Sequence, residues 1–141
     1  MSLIELARSF FCRCPHLPEG VLSVNYLAPE PPAFGLTVVG GGVLKRYADG
    51  GTLKFFDFVL AARTLSGGTV SQQQAMAETF EKVARWVEDA GKSPGLCLPD
   101  GRSLVELVPG GAFRLVDETE KTARYELSCR LIYQEGGEKI E

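Results

Sequence analysis

The segment from Lys45 to Arg63, KRYADGGTLKFFDFVLAAR, constrains the fold more than any other stretch of the chain. Asp49-Gly50-Gly51 offers the conformationally permissive residues that a tight strand reversal requires. Beyond the turn, Phe56, Phe58 and Leu60 alternate with Phe55, Asp57 and Val59. Side chains of a strand alternate between its two faces, so the first set shares one face and Phe55 and Val59 share the other. Both faces are apolar. That pattern predicts a central strand, covered on both sides. Asp57 interrupts the second face, and a carboxylate there needs a partner. The expected partner is an arginine on a neighbouring strand, Arg130.

The other elements follow from periodicity. Ser2 and Glu5 form a capping box, and Leu3, Leu6, Ala7 and Phe10 follow at helical spacing, predicting a short helix over 3–12. The next part is proline-rich, with five of the chain's eight prolines between Cys14 and Gly35. Alternation of Leu22, Val24 and Tyr26 predicts a strand over 21–27, after which Pro29, Pro31 and Pro32 impose an extended loop. Residues 36–39, LTVV, fit a short strand or an approach to one. Ser71 and Gln74 form a second capping box, and Met76, Phe80, Val83, Ala84 and Val87 make a core-facing stripe. A long helix over 72–90 is predicted, ending at Gly91. Three strand-like pieces come next, at 103–108, 112–117 and 122–134. The last alternates throughout, with Ala123, Tyr125, Leu127, Cys129, Leu131 and Tyr133 inward and Arg124, Glu126, Ser128, Arg130 and Gln134 outward. It is long enough to span a sheet. The tail from Glu135 reads as frayed. The expected fold is α+β, a mainly antiparallel sheet with one long and one short helix packed against it, formed by residues 1–141 as a single domain.

Composition narrows the function classes. A chain of 141 residues buries roughly two-thirds of its unfolded surface and needs no metal or disulfide staple. Fifteen Lys and Arg against eighteen Asp and Glu give a net charge of −3, and the longest basic run is Lys45-Arg46. A phosphate-tracking surface shows a basic stripe instead. The N-terminus lacks a basic region before its apolar part, unlike a signal peptide. No apolar run approaches the roughly 20 residues that span a bilayer. The reading is a soluble protein made in the cytosol, with Cys12, Cys14, Cys97 and Cys129 reduced.

Residues that carry chemistry are sparse. VVGGGVLK at 38–45 resembles a dinucleotide-binding turn, but Lys45 stands where the third glycine belongs and a hairpin follows instead of a helix. It reads as a flexible turn before the hairpin. CRCPH at 12–16 puts two thiols and the sole histidine close together. Its single-residue cysteine spacing is too short for the usual zinc pair, and no second pair follows. His16, in a proline-rich loop, has no evident nucleophile and orienting group. The carboxylates of the long helix fall on its polar side. The expectation is a protein that is not an enzyme, with no catalytic, metal-binding or cofactor-binding residue.

The order of these segments resembles a known family. Lys45-Arg46-Tyr47-Ala48-Asp49-Gly50, then Phe56-Asp57-Phe58, then Ala62-Arg63 parallel its K-[KR]-Y-x-D-G hairpin, F-x-F strand and A-S-R end. Ala84 and Trp86-Val87-Glu88 fit its F-[AE]-x-W-[LV]-E helix, and Thr122 to Tyr133 fit its closing T-A-[RK]-Y-x-[IL]-x-C-[RK]-L-x-Y strand. LPDG at 98–101 and CPHL at 14–17 have counterparts too. Together they resemble the small minor tail proteins of long-tailed bacteriophages and prophages, also labelled minor capsid or tail-terminator proteins. The chain departs from the pattern at Val83, where the family has Phe, at Ala62, where many relatives have Ser, and in a shorter segment before LPDG.

The resemblance implies a structural role. Tail-terminator proteins form a ring, typically a hexamer, that caps the head-proximal end of the tail tube and joins it to the neck, while DNA only passes through the lumen. Its partners are then copies of itself, the tail tube protein and the head–tail connector, with no membrane. It sits in the host cytoplasm during assembly and then in the virion. Another head–tail connector or tail-completion ring subunit, or a small ligand-binding domain, is the alternative. A ring subunit needs two heterologous faces. Loops 28–35 and 62–71 read as adaptable contact surfaces, and Phe34, Arg63, Leu65 and Trp86 are the interface candidates, since aromatic anchors dominate such contacts. For Phe34 and Trp86 the competing reading is that they simply cover the core.

Overall fold

A computed structural model describes residues 2–17, 22–93, 98 and 101–136. Cys97, Pro99 and Asp100 of the LPDG segment and the tail beyond Gly136 lie outside the described residues. The described chain forms α1 (Leu3–Phe11), β1 (Leu22–Val24), β2 (Ala33–Arg46), β3 (Thr52–Leu65), α2 (Val70–Ala90), β4 (Arg102–Pro109), β5 (Arg114–Glu118) and β6 (Thr122–Glu135). The strands make one six-stranded sheet in the order β1-β2-β3-β6-β4, with β5 also on β6. Only the β1–β2 pair is parallel. The fold is α+β as expected, with α2 of 21 residues and α1 of 9.

The turn of the central hairpin forms where its glycines predict. Tyr47 N–H donates to the Gly51 carbonyl at 2.8 Å, and Asp49 Oδ1 accepts from Gly51 N–H at 3.0 Å. Gly50, at φ +90°, is the residue that uses the left-handed region. From there β3 pairs with β6 without a slip from Thr52↔Glu135 to Leu65↔Thr122. That register puts Phe58 opposite Cys129, Leu60 opposite Leu127 and Asp57 opposite Arg130. The core gathers on one face: Leu36, Phe58, Leu60, Leu107, Leu127, Leu131 and Cys129 meet Phe10 and Phe11 of α1 and Val83 and Val87 of α2. The inward set on β6 is as predicted, except that Tyr125 is only half-buried, against the Phe80 ring at 4.9 Å.

Several boundaries differ from the sequence reading. β1 ends at Val24 because Asn25 enters the left-handed region at φ 53° and there donates its N–H to the Leu36 carbonyl. The glycine run at 40–42 is not a flexible turn. It lies inside β2, which is continuous from Ala33 to Arg46. A Cβ on Gly41 would sit 2.7 Å from the Phe55 carbonyl oxygen, and one on Gly42 would sit 3.1 Å from the Phe55 ring. The glycines therefore admit close approach of β3, and register shifts at Val38/Gly40 and Val43/Lys45 absorb the irregularity. The loop expected over 28–35 ends at Pro32, and the loop expected over 62–71 shrinks to 66–69, since β3 and α2 take its two ends.

The start of α2 also moves. Its capping box is Thr69 with Gln72, not Ser71 with Gln74: Gln72 N–H donates to Thr69 Oγ1 at 3.2 Å, and Thr69 N–H donates to Gln72 Oε1 at 2.9 Å. Both pairs have the right spacing, and the one closer to the end of β3 is used. Of the predicted stripe, Phe80, Val83 and Val87 are buried, while Met76 and Ala84 are half-buried. α1 ends at Phe11, one residue short of the prediction. β3 is central, but among the described residues no helix or strand covers its second face. There, loop residues lie over one end, where a Cβ on Gly35 would strike the Tyr26 carbonyl oxygen, and Arg130 lies over Phe55.

Gly91 ends α2 for a packing reason. Its φ is −68°, open to any residue, but a Cβ would run into the Leu107 carbonyl oxygen, and Leu107 N–H donates to the Gly91 carbonyl at 2.8 Å. Gly91→Ala is expected to cost about 1–3 kcal/mol of unfolding free energy in a denaturant titration, as an overpacked contact does. Gly40→Ala, which meets nothing within 4 Å, is expected to stay within about 0.5 kcal/mol.

Candidate functional site

The sheet face away from the helices carries an ordered polar arrangement. Arg130 Nε donates to Asp57 Oδ1 at 2.8 Å and Nη2 donates to Oδ2 at 3.1 Å, the two-pronged geometry a guanidinium offers a carboxylate. The hydrogen bonds to Asp57 raise the arginine's already high pKa. The same guanidinium lies 4.1 Å from the Phe55 ring centroid. The pairing expected for Asp57 is thus made, and the aromatic next to it completes a stack. On this face Arg124 and Glu126 also pair at 3.0 Å, while Lys54 and Glu135 pair at 3.2 Å at the end of the helix-side face. These charges neutralise one another, and among the described residues no buried side-chain nitrogen or oxygen lacks a partner.

The four interface candidates fall in different places. Trp86 is half-buried, with its ring centroid 4.8 Å from that of Phe10 and 6.3 Å from that of Phe11. Phe34 is half-buried against the core, between Leu22 and Ala62 in register. Arg63 lies on the opposite face and donates from Nε to the Ala28 carbonyl at 2.9 Å, tying the proline-rich loop to the sheet. Leu65 alone of the four is strongly exposed, at 70%. It borders a groove of about 790 Å³ between the end of β3, Pro31, Pro32 and the first turns of α2, floored by Ala123 and Tyr125. The structure does not join the four into one patch.

Larger exposed apolar groups lie where the sequence reading did not look. Val38, Val39, Val43 and Leu44 are exposed along β2, and Leu115 and Val116 along β5. The signal of the β2 group in the sequence is TVVGGGVL, an apolar run on both strand parities with no charge. Contiguous exposed apolar groups mark contact surfaces more than single ones do.

Cys12 is exposed, while Cys14 and Cys129 are buried. Burial pushes the Cys14 thiol up, with backbone hydrogen bonds at His16 and Leu17 opposing it. Cys129 is pushed far above the usual thiol range by burial. Among the described residues no group of three or more His, Cys, Asp and Glu side chains is placed to hold a metal ion. No helix among them is long and apolar enough to cross a membrane.

Cys129 sets a pH dependence. Its thiol ionises near 9.0 when unfolded but stays protonated in the fold. Its share of stability is intact below that pH and is lost as pH rises above it, by about 1.4 kcal/mol per pH unit. Unfolding titrations from neutral to alkaline pH are expected to show a steeper decline for the native chain than for Cys129→Ala. In the folded protein at mildly alkaline pH, a maleimide is expected to label Cys12 and to reach Cys14 and Cys129 only after unfolding, as read by peptide mass mapping. Comparison with models of known protein families finds no match for this chain, and no curated protein matches it.

Proposed function

We propose that this chain is a structural subunit of a tail-terminator-like ring, which caps the head-proximal end of a phage tail tube and joins it to the neck. The observation that carries this reading is the ordered series of motifs, from Lys45-Arg46-Tyr47 through Trp86-Val87-Glu88 to the closing strand Thr122 to Tyr133. Its physical character suits the role. A ring subunit must be stiff, and the unslipped β3–β6 pair with both helices on one face provides a rigid slab. It must also present two different contact surfaces. The exposed apolar residues of β2 and of β5 lie on opposite sides of the sheet and provide two. A channel that lets DNA pass should not grip phosphate, and a net charge of −3 with self-neutralised arginines agrees with that.

In this reading the chain assembles with copies of itself, six by the family's habit, and docks on the tail tube protein on one side and the head–tail connector on the other. Its final location is the virion. The test is electron microscopy of tails or tail-like particles carrying a label on the C-terminal tail of this protein, with a tube-capping assay beside it. The label is expected at the head-proximal end of the tube, and added protein is expected to stop purified tubes from lengthening. Label at the baseplate end, or absent from particles, overturns the reading. Binding to filled heads without effect on tubes moves the chain to the connector side of the joint.

A further inference from the structure

The two halves of α2 are held in different ways. From Phe80 onward the helix is anchored. The Phe80 ring stacks on Phe113 at 4.4 Å between centroids, Val83 and Val87 are buried, and the Gly91 carbonyl accepts the Leu107 N–H. Before Phe80 that anchoring stops. From Val70 to Glu78 every residue is exposed except Met76, which is half-buried. Among the described residues, the side-chain hydrogen bonds of this half stay between Gly67 and Thr79. They are the Thr69–Gln72 capping box, Gln73 Nε2 donating to the Gly67 carbonyl at 3.2 Å, and Thr79 Oγ1 donating to the Ala75 carbonyl at 3.0 Å. Val70 to Ala77 contain no charge, so no ion pair braces them along the helix. The first turn has no acid to meet the helix dipole. On the strand side the last tie to the sheet is Ser66, whose N–H donates to the Lys121 carbonyl at 3.0 Å. The span 67–79 thus hangs between two tethers, Ser66 and Phe80. It forms one wall of the groove of about 790 Å³ through Gln72, Gln73, Met76 and Thr79.

We infer that the first half of α2, Val70–Glu78, is a conditional wall: it opens from helix to loop while the sheet and the second half of α2 stay folded. Free helices shorter than about 12–15 residues are marginal in water. The anchored half removes the cost of nucleation, but each further residue gains only the propagation factor, which is near unity. The exposed half buries almost nothing, so it takes little part in the apolar burial that makes opening of the core a global event. Its main local support is the capping box. Opposing that support, Gly67 and Gly68 are held at φ +75° and +81°, and opening releases the residue type that loses most freedom when fixed. The opened state leaves Phe80, Val83 and Val87 in place. The groove therefore has a walled and an unwalled form, and any contact made on the wall is linked to helix formation. This inference concerns the free chain and stands apart from the ring reading.

Hydrogen exchange of the full chain, read by mass spectrometry over a series of low guanidinium concentrations, tests this. Amides of 74–79 are expected to exchange about 100-fold or more faster than those of 84–90. Low denaturant is expected to leave the fast set unchanged, because its opening exposes little surface, and to accelerate the slow set. Thr69→Ala, which removes the cap, is expected to speed exchange at 74–79 about fivefold. Ser71→Glu with Ala75→Lys, an ion pair one turn apart, is expected to slow it about twofold. Thermolysin is expected to cut the native chain between Ala75 and Met76 at a rate that low denaturant does not change. One common rate and one common denaturant slope across 74–90 overturns the inference. So does cutting between Ala75 and Met76 only under conditions that unfold the core.

Discussion

The pairing of β3 with β6 is the constraint on which the rest of the structure depends. It runs from Thr52↔Glu135 to Leu65↔Thr122 with no bulge. In a sheet, a slip of one residue sends every side chain to the other face. Here that slip would turn Phe58, Leu60, Leu127 and Leu131 out of the core and turn Asp57 and Arg130 into it. Apolar burial and the cost of a buried unpaired charge therefore favour the same register. The Asp57–Arg130 contact is partly open to water, so screening limits what it adds to stability. Its value is specificity, since the two-pronged bond and the Phe55 stack form only when these residues stand opposite each other.

The helices complete one face and leave the other as sheet. α1 and α2 meet through Phe10, Phe11 and Trp86, and Phe11 reaches Phe58 edge-on at 6.0 Å between centroids. The second face is finished by short polar pairs and by the loop that Arg63 holds. Much of the remaining apolar exposure lies along β2 and β5, with Tyr26 and Val70 exposed elsewhere.

What the sequence showed clearly was whatever depends on a period or on a local turn. The alternation of β6, the Gly50 turn, the α2 stripe and the Asp57–Arg130 pair all follow from residues whose roles are set within a strand or across one known pairing. What it hid depends on distant partners. Gly40 to Gly42 look like a break until Phe55 is placed against them. The choice of Thr69 over Ser71 as cap depends on how far β3 extends. The aromatic residues Phe34 and Trp86 have the same appearance in sequence whether they cover a core or anchor a contact. The open edge of β2 was illegible because it depends on β1 being only 3 residues long.

An open edge is ordinarily a hazard, because identical edges can pair without limit. This chain's edges differ from each other, and that difference bears on what forms. Pairing of β2 with β2 would be two-fold and would end at a dimer. Pairing of two different edges would leave a fresh edge at each end, so it would continue until rotation closed it. The bulges at Val38/Gly40 and Val43/Lys45 confine regular β2 geometry to a short stretch, and β5 is 5 residues long. Edges this short offer few ladder hydrogen bonds, so a single contact through them would be weak. Weak single contacts and strong closed ones are what a subunit needs if it is to assemble as a ring and not as a fibre.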